Sequence, residues 1–379
     1  MQVICLTPRY EQSGMTSVLI LQNHIREYRK PLYNGLAERY EVVVLHSGPP
    51  SLNEGDRYRE VITPQKLMWR FHLQPNSPLG KMIGNFDAVI AMFDIAWPTY
   101  LAPLFWRRRP KYILWGHWYS TNQFANLVRN HLMKRADRLL MYGGEEIERM
   151  VKHGIDPGKI VVSPNTVHIP NAKDFSREPK SSLLFIGRLQ AGSRRNSKRA
   201  DILIESFARL LGKIKDDIEL DIVGGGEEEG ALKQLVVELG VADKVYFHGH
   251  IEDSEILSRL FSKAIALVSP GHVGLSVLQS FGHGVPVVTG KAVQYRRETQ
   301  HLHNALTGCK VIMGPEYYNL RHRHNSLLVE TQQELVTELE KLCNEPGYAA
   351  ELGRNAYQHY VRERPLSHML DGFRKAIEE

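Results

Sequence analysis

Short apolar runs alternate along this chain with stretches whose apolar positions recur every three to four residues. Residues 41–45 (EVVVL), 88–91 (AVIA), 112–115 (YILW), 138–141 (RLLM) and 160–162 (IVV) are too short and too uniformly apolar for surface helices, and they predict buried strands. Residues 3–6 (VICL) and 18–21 (VLIL) compete for the first strand. Between the strands, residues 31–39 read as an amphipathic helix with Pro31 in its first turn, where a missing N–H costs nothing. The pattern then restarts. Residues 183–186, 219–223, 244–247, 265–268 and 286–288 predict strands, and 200–211, 229–239, 253–261 and 275–283 predict helices. Strand–helix alternation of this kind argues a doubly wound α/β domain with a mostly parallel sheet, present twice.

The periodicity is interrupted near residues 168–180, where Pro170 and Pro179 stand among polar residues. The expected division is therefore 1–168 for an N-terminal Rossmann-like domain and 169–355 for a C-terminal one. A helical segment, 356–379, follows and is free to pack back on the N-terminal domain. Two domains suit a chain of 379 residues.

Composition narrows the class. With 42% hydrophobic and 24% charged residues the chain is neither disordered nor fibrous. Three cysteines, Cys5, Cys309 and Cys343, form no disulfide framework or zinc pattern, so a reducing, cytoplasmic compartment is expected. Residues 1–10 lack the marks of a signal peptide, and Asp94, Pro98 and Pro103 interrupt the most membrane-like stretch, 88–106. The net charge of +6 is unevenly spread. Residues 1–168 hold 21 Lys+Arg against 14 Asp+Glu (+7), and the remainder holds 27 against 28 (−1).

Three turns in the second half have chemical potential. Gly187-Arg188 ends a strand and is followed by the basic loop Arg194-Arg195-Asn196-Ser197-Lys198-Arg199. Gly187 lets a ligand reach the backbone, and Arg188 and Lys198 place positive charge at the carboxyl edge of the sheet, where α/β folds bind ligands. Read alone, an isolated Gly-Arg is more often a solvated basic loop. Ser269-Pro270-Gly271-His272-Val273-Gly274-Leu275-Ser276 leads a strand into a helix whose first N–H groups suit an anion. Gly224-Gly225-Gly226 forms a third turn without the lysine of a P-loop.

Taken in order, GRL, basic loop, LIESF, DIVGGG, VYFHGHI, LVSP and GLSVLQSFGHGVPVV, spanning residues 187–288, resemble the family-4 retaining glycosyltransferases. The resemblance implies the GT-B fold: α/β, two Rossmann-like doubly wound domains facing across a cleft. It implies that Gly187, Arg188 and Lys198 grip the diphosphate of a nucleotide-sugar donor. It implies that His250 and Ile251 hold the base through main-chain groups, and that Gly274, Leu275 and Ser276 meet the diphosphate and sugar. The chain departs from the family at Gly271 and Gln279, which stand where two glutamates are usual. The amide of Gln279 still donates and accepts hydrogen bonds for ribose. Gly271 has no carboxylate to offer the sugar, so that duty falls to His272 or the main chain.

In the first half, His117 follows a predicted strand where family members often carry a histidine facing the donor sugar; a structural role is the other reading. Arg29 either meets donor or acceptor oxygens or pairs with a nearby carboxylate. The run Phe105-Trp106-Arg107-Arg108-Arg109-Pro110-Lys111 suits an anionic membrane surface or a solvated loop. Residues 290–313 form a long connection, read either as a lid or as a surface insertion.

The expected activity is transfer of a sugar from a nucleoside diphosphate to an acceptor hydroxyl, with retention, in surface polysaccharide or glycolipid synthesis. The expected catalytic set is His117, Arg188 and Lys198. The two cations take the duty of a metal ion, so neither a metal site nor a cofactor is expected. The expected partners are the donor, a lipid-linked or polysaccharide acceptor, and an anionic membrane met peripherally from the cytoplasmic side. No reading helix or stacking motif points to nucleic acid. The competing readings are a non-catalytic sugar-nucleotide or glycan-binding protein, motivated by Gly271 and Gln279, and a sugar-nucleotide epimerase.

Overall fold

The computed structural model describes residues 14–118, 123–170, 172–189, 198–294, 302–308, 310–311 and 315–379. It divides into two units. One runs to Pro164 and includes Ser367–Glu379; the other is Asn165–Leu366.

The first unit contains β1 (Ser17–Leu21), β2 (Glu41–His46), β3 (Arg59–Ile62), β4 (Lys66–Met68), β5 (Phe71–Leu73), β6 (Ala88–Met92), β7 (Lys111–Gly116), β8 (Arg138–Met141) and β9 (Ile160–Val162). Its sheet has the order β3-β2-β1-β6-β7-β8-β9, parallel throughout. Residues 18–21 thus lie in the centre of this sheet, and residues 3–6 fall outside the described residues. The helices are α1 (Lys30–Ala37), α2 (Leu79–Met82), α3 (Pro98–Leu101), α4 (Gln123–Arg135) and α5 (Ile147–Lys152). Strands β1, β2, β6 and β7 are buried on both faces, which is why each reads as an unbroken apolar run. The strand β3 and the β4–β5 hairpin were not anticipated. Both lie in exposed or half-exposed chain, so no apolar run announces them.

The second unit contains β10 (Ser182–Ile186), β11 (Glu219–Val223), β12 (Val245–Gly249), β13 (Ala264–Ser269), β14 (Val287–Gly290) and a small antiparallel sheet of β15 (Ala292–Gln294), β16 (Leu302–Asn304) and β17 (Lys310–Val311). The strand β18 (Ser326–Val329) completes the main sheet, whose order is β12-β11-β10-β13-β14-β18, again parallel. The helices are α6 (Ala200–Leu211), α7 (Glu229–Glu238), α8 (Ser254–Lys263), α9 (Ser276–Gly282), α10 (Gln332–Asn344) and α11 (Pro346–Glu363). Side chains of β10 alternate in the expected way. Leu183 and Phe185 join the core that includes Leu203, Phe207 and Leu339, while Leu184 joins the core that includes Phe261, Leu278 and Phe281. Local chemistry fixes the helix starts. Asp253 caps α8 by accepting from the N–H of Glu255 at 2.8 Å, and Thr331 caps α10 by accepting from Glu334 N at 3.1 Å.

The C-terminal segment breaks at Pro365, and α12 (Leu366–Glu378) belongs almost entirely to the first unit. There Ser163 Oγ donates to Met369 O at 2.9 Å, and Phe373 meets Trp115 edge to face at 4.9 Å. Gly372 lies so close to Ser163 that a Cβ would come within 2.5 Å of the serine side chain. No helix among the described residues is long and apolar enough to cross a membrane.

Candidate functional site

The strand order of the second unit reverses direction between β10 and β13. The loops leaving the carboxyl ends of those neighbours diverge, and a crevice at this position is where open α/β sheets take ligands. Residues Gly187 and Arg188 leave β10 there, and the 270–275 turn leaves β13.

Backbone contacts hold this edge together. Gly187 N donates to Val223 O at 2.9 Å, Leu189 N to Gly225 O at 3.1 Å, and Gly224 N to Gly249 O at 2.7 Å. Two of the three glycines, Gly224 and Gly226, therefore have a packing duty. Gly224, at φ +129°, lies against Gly187 so closely that a Cβ would sit 1.9 Å from its carbonyl oxygen. Gly187 in turn makes room for Lys198: a Cβ at 187 would fall 1.9 Å from Lys198 Cδ. The glycine after β10 is thus explained by the lysine that crosses it.

Lys198 then reaches the second loop. Its Nζ donates to His272 O at 3.3 Å, and its carbonyl accepts from Gly271 N at 3.0 Å. The residue keeps some open surface, but its ammonium is enclosed, and that burial pushes its pKa down to about 8, partly offset by the carboxylate of Glu316. Arg188 is exposed and has no carboxylate partner among the described residues. One cation is therefore held in the wall of the crevice and the other stands open at its mouth.

The turn after β13 is rigid at its base and open at its tip. Asn304, buried on β16, donates through Nδ2 to Pro270 O at 2.8 Å and to Gly271 O at 3.2 Å. Its Oδ1 accepts from Thr307 N at 3.0 Å. At the tip, a Cβ on Gly274 would meet nothing within 4 Å, so the protein's own packing does not require glycine there. Ser276 is buried at the start of α9, with an Oγ that has no hydrogen-bond partner among the described residues. Leu275 and Gln279 are half-buried on the same short helix start. His250 and Ile251 follow the end of β12; Ile251 packs on the core, and His250 is exposed, its Nε2 3.1 Å from Glu252 Oε1.

Two contributors were missed in the sequence. Asn304 lies in the 290–313 connection. Its described parts are the small sheet and the turn after it, while Tyr295, Arg296, Arg297 and His301 fall outside the described residues. Glu316 is buried beside Lys198 and accepts from Asn165 Nδ2 at 2.6 Å. Neither announces itself, because a lone Asn or Glu in a polar loop has no spacing signal.

In the first unit His117 follows β7, at the carboxyl edge of that sheet, with Gly116 at φ +153° turning the chain outward. The backbone of this loop is pinned by the buried Arg129. Its guanidinium donates to the carbonyls of His117 and Trp118, the latter at 3.0 Å, and lies 4.1 Å over the Phe93 ring. His117 keeps an open face, while its ring is packed against Tyr142 at 4.9 Å. Burial, followed by Arg129 and Arg29, lowers the His117 pKa, so the imidazole is neutral near pH 7. Arg29 is not at the surface. It is buried over Trp115 at 5.0 Å and Tyr142 at 5.7 Å, and its Nη2 donates to Tyr142 Oη at 3.4 Å. Among the described residues, no three His, Cys, Asp or Glu side chains gather in a way that could hold a metal ion.

Replacing Asn304 by alanine removes three hydrogen bonds, those to Pro270 O and Gly271 O and the one from Thr307 N, although Gly290 N at 3.2 Å and Thr289 Oγ1 at 3.3 Å still reach the two carbonyls. The expected cost is ~2–3 kcal/mol. A thermal melt should show it as a Tm lower by about 5–10 °C.

A parallel sheet with this order and a crevice at its reversal point is the architecture of a doubly wound, Rossmann-like α/β domain. Residues 171–359 match the family model of Glycosyl transferases group 1, and this segment belongs to that family. The D-inositol 3-phosphate glycosyltransferase of Mycobacteroides abscessus is 28% identical over 176 residues, 41% of this chain and 37% of the relative. The N-acetylgalactosamine-N,N'-diacetylbacillosaminyl-diphospho-undecaprenol 4-alpha-N-acetylgalactosaminyltransferase of Campylobacter jejuni is 30% identical over 141 residues, 35% of this chain and 36% of the relative. The chain thus spans little more than a third of these curated relatives' length. Anabaena HepE, crystallised with UDP, superposes with a TM-score of 0.70 at 16% identity, covering 96% of this chain and 99% of that one. This likeness shows the fold, which is GT-B.

Proposed function

We propose that the chain is a glycosyltransferase that moves a sugar from a nucleoside diphosphate donor to an acceptor hydroxyl. The observation that carries this reading is the crevice between β10 and β13. There, an enclosed ammonium, an open guanidinium, a glycine with empty space before it and an unpartnered buried hydroxyl converge at the switch point of the sheet. Breaking the anomeric C–O bond leaves negative charge on the diphosphate. Arg188 and Lys198 stabilise that charge in the transition state more than in the ground state, which is what accelerates the step. They take the duty that a divalent cation would otherwise serve, so metal-independent transfer is expected. His250 and Ile251 offer main-chain groups to the base, and Gln279 offers an amide to the ribose. His117, whose imidazole is neutral, is the first unit's candidate for a sugar contact. Retention follows from attack of the acceptor on the face the diphosphate leaves. The named activity of the C. jejuni relative supports a lipid-linked saccharide as acceptor, and the +7 charge of residues 1–168 is what supports peripheral work at the cytoplasmic face of an anionic membrane.

A thermal-shift panel of nucleoside diphosphates and nucleotide sugars tests the reading. A ligand at about a hundred times its Kd stabilises by ~2.7 kcal/mol, so the cognate base should raise Tm by several degrees and the others much less. A flat panel overturns it. The residues at Gly271 and Gln279 favour one rival, a protein that binds the donor without turning it over. Release of nucleoside diphosphate only in the presence of acceptor separates the two.

A further inference from the structure

The crevice between β10 and β13 lies at the carboxyl edge of the second sheet. A separate cavity of about 390 Å³ lies at the opposite, amino edge. Its walls come from the starts of β10, β11, β13 and β14 and from the corner where α10 passes into α11. Small-molecule sites typically enclose ~300–1,000 Å³. Ile218, Ile265 and Leu342, all buried core residues, line the space together with Pro286 and Ala349, so its floor is apolar.

Five charged residues also line it, and two of them are already paired. Glu178 meets Lys173 Nζ at 3.1 Å, and Asp217 meets Lys244. Arg177, Lys180 and Asp216 have no ion-pair partner among the described residues. Lys180 is the informative one. It is half-buried, and among the described residues its Nζ makes one hydrogen bond, to Ser262 O at 2.9 Å. Glu178 and Asp174 act on it only from beyond ion-pair distance. Burial pushes its pKa down to about 8, as it does for Lys198 in the crevice at the other edge. A desolvated ammonium without a carboxylate is unfavourable for the folded state, and an anion beside it offsets that penalty. Ser176, buried in the same wall, has an Oγ with no partner among the described residues.

Two properties set the class of ligand. Arg177 and Lys180 against Asp216 leave a net +1 on the unpaired groups, and the floor between them is apolar. Asp216, exposed at the rim, opposes a second negative charge, which favours a carboxylate over a phosphate ester. We propose that this cavity is a second ligand site and that it takes a small aliphatic monocarboxylate, its acid group on Lys180 and its chain on Ile218, Ile265 and Leu342. The site is separate from the crevice at the carboxyl edge, and the inference does not rest on the transferase reading.

The test is a titration of the full chain with hexanoate, followed by broadening of the hexanoate proton resonances. Hexanoate should bind about tenfold more tightly than hexanol, the effect of a hydrogen bond to a charged group. From butyrate to hexanoate each added methylene should tighten binding about fourfold. Lys180→Met keeps the bulk and loses the charge, so it should melt near the wild-type Tm and bind hexanoate about tenfold more weakly. Ala350→Phe, from another half-buried wall position, should occupy the space and weaken hexanoate and hexanol alike. Arg188→Ala should bind hexanoate as the wild type does, because Arg188 stands at the other edge. No binding, or equal affinity for hexanoate and hexanol, overturns the inference. So does wild-type binding by Lys180→Met or, where that variant does not fold, by Ala350→Phe. Loss of hexanoate binding in Arg188→Ala also overturns it, because the anion then lies in the crevice between β10 and β13.

Discussion

Replacing Arg188 by alanine should lower kcat/KM for transfer about a hundred- to a thousandfold, the loss typical of one fixed donor aimed at developing charge. The guanidinium is exposed at the mouth of the crevice and has no carboxylate partner among the described residues. It contributes little that folding would miss, so Tm should stay unchanged, with stability within ~0.5 kcal/mol of wild type. This separation of effects is what makes the variant informative. If the guanidinium meets the diphosphate, affinity for the bare nucleoside diphosphate should also fall, and more so at low salt, where Coulomb attraction reaches further. A variant with full turnover would mean the diphosphate lies elsewhere and would remove the main support for the transferase assignment of this crevice.

Much of the second unit was legible because its signals are periodic. The helix at 200–211 is amphipathic over three turns and coincides with α6, the strand at 183–186 is an apolar run buried on both faces, and the strand at 219–223 is buried beyond Glu219 with Asp221 in its middle. Site residues that lie directly after such runs inherit their placement: Gly187 and Arg188 follow β10, and Gly274–Ser276 lead into α9. The strand β18 was missed because its four residues begin with Ser326 and stand alone after a polar turn. Asn304 and Glu316 were missed for a different reason. Each matters because of one contact made across more than thirty residues of chain, and no local pattern encodes a single long-range contact. Arg29 shows the converse error. A cation near aromatic residues in a polar stretch looks like surface, yet Trp115 and Tyr142 close over it and its Nη1 meets Met369 Sδ of α12 at 3.6 Å.

Lys198→Met should show the opposite balance between binding and stability from an ordinary core substitution. The enclosed ammonium has a pKa near 8, below the ordinary 10.5 of an unfolded lysine. Between about pH 8 and 10.5 the unfolded chain therefore holds a proton that the folded chain has released. This group's contribution to stability rises with pH across that window and is at its least favourable below pH 8. Methionine fills much the same volume without the charge, so Tm at pH 7 should hold or increase. Nucleotide binding should move the other way. A bound diphosphate favours the ammonium, so wild-type affinity should weaken as pH rises through 8, by up to about thirtyfold at pH 9.5 if only the protonated form binds well. Titration calorimetry with a nucleoside diphosphate at pH 7 and 9.5 reads this directly. Lys198→Met should bind weakly at both values with no such pH dependence. A wild-type affinity that is flat across this range would place the ammonium away from the diphosphate and leave Lys198 as a tie between Gly187 and the His272 turn.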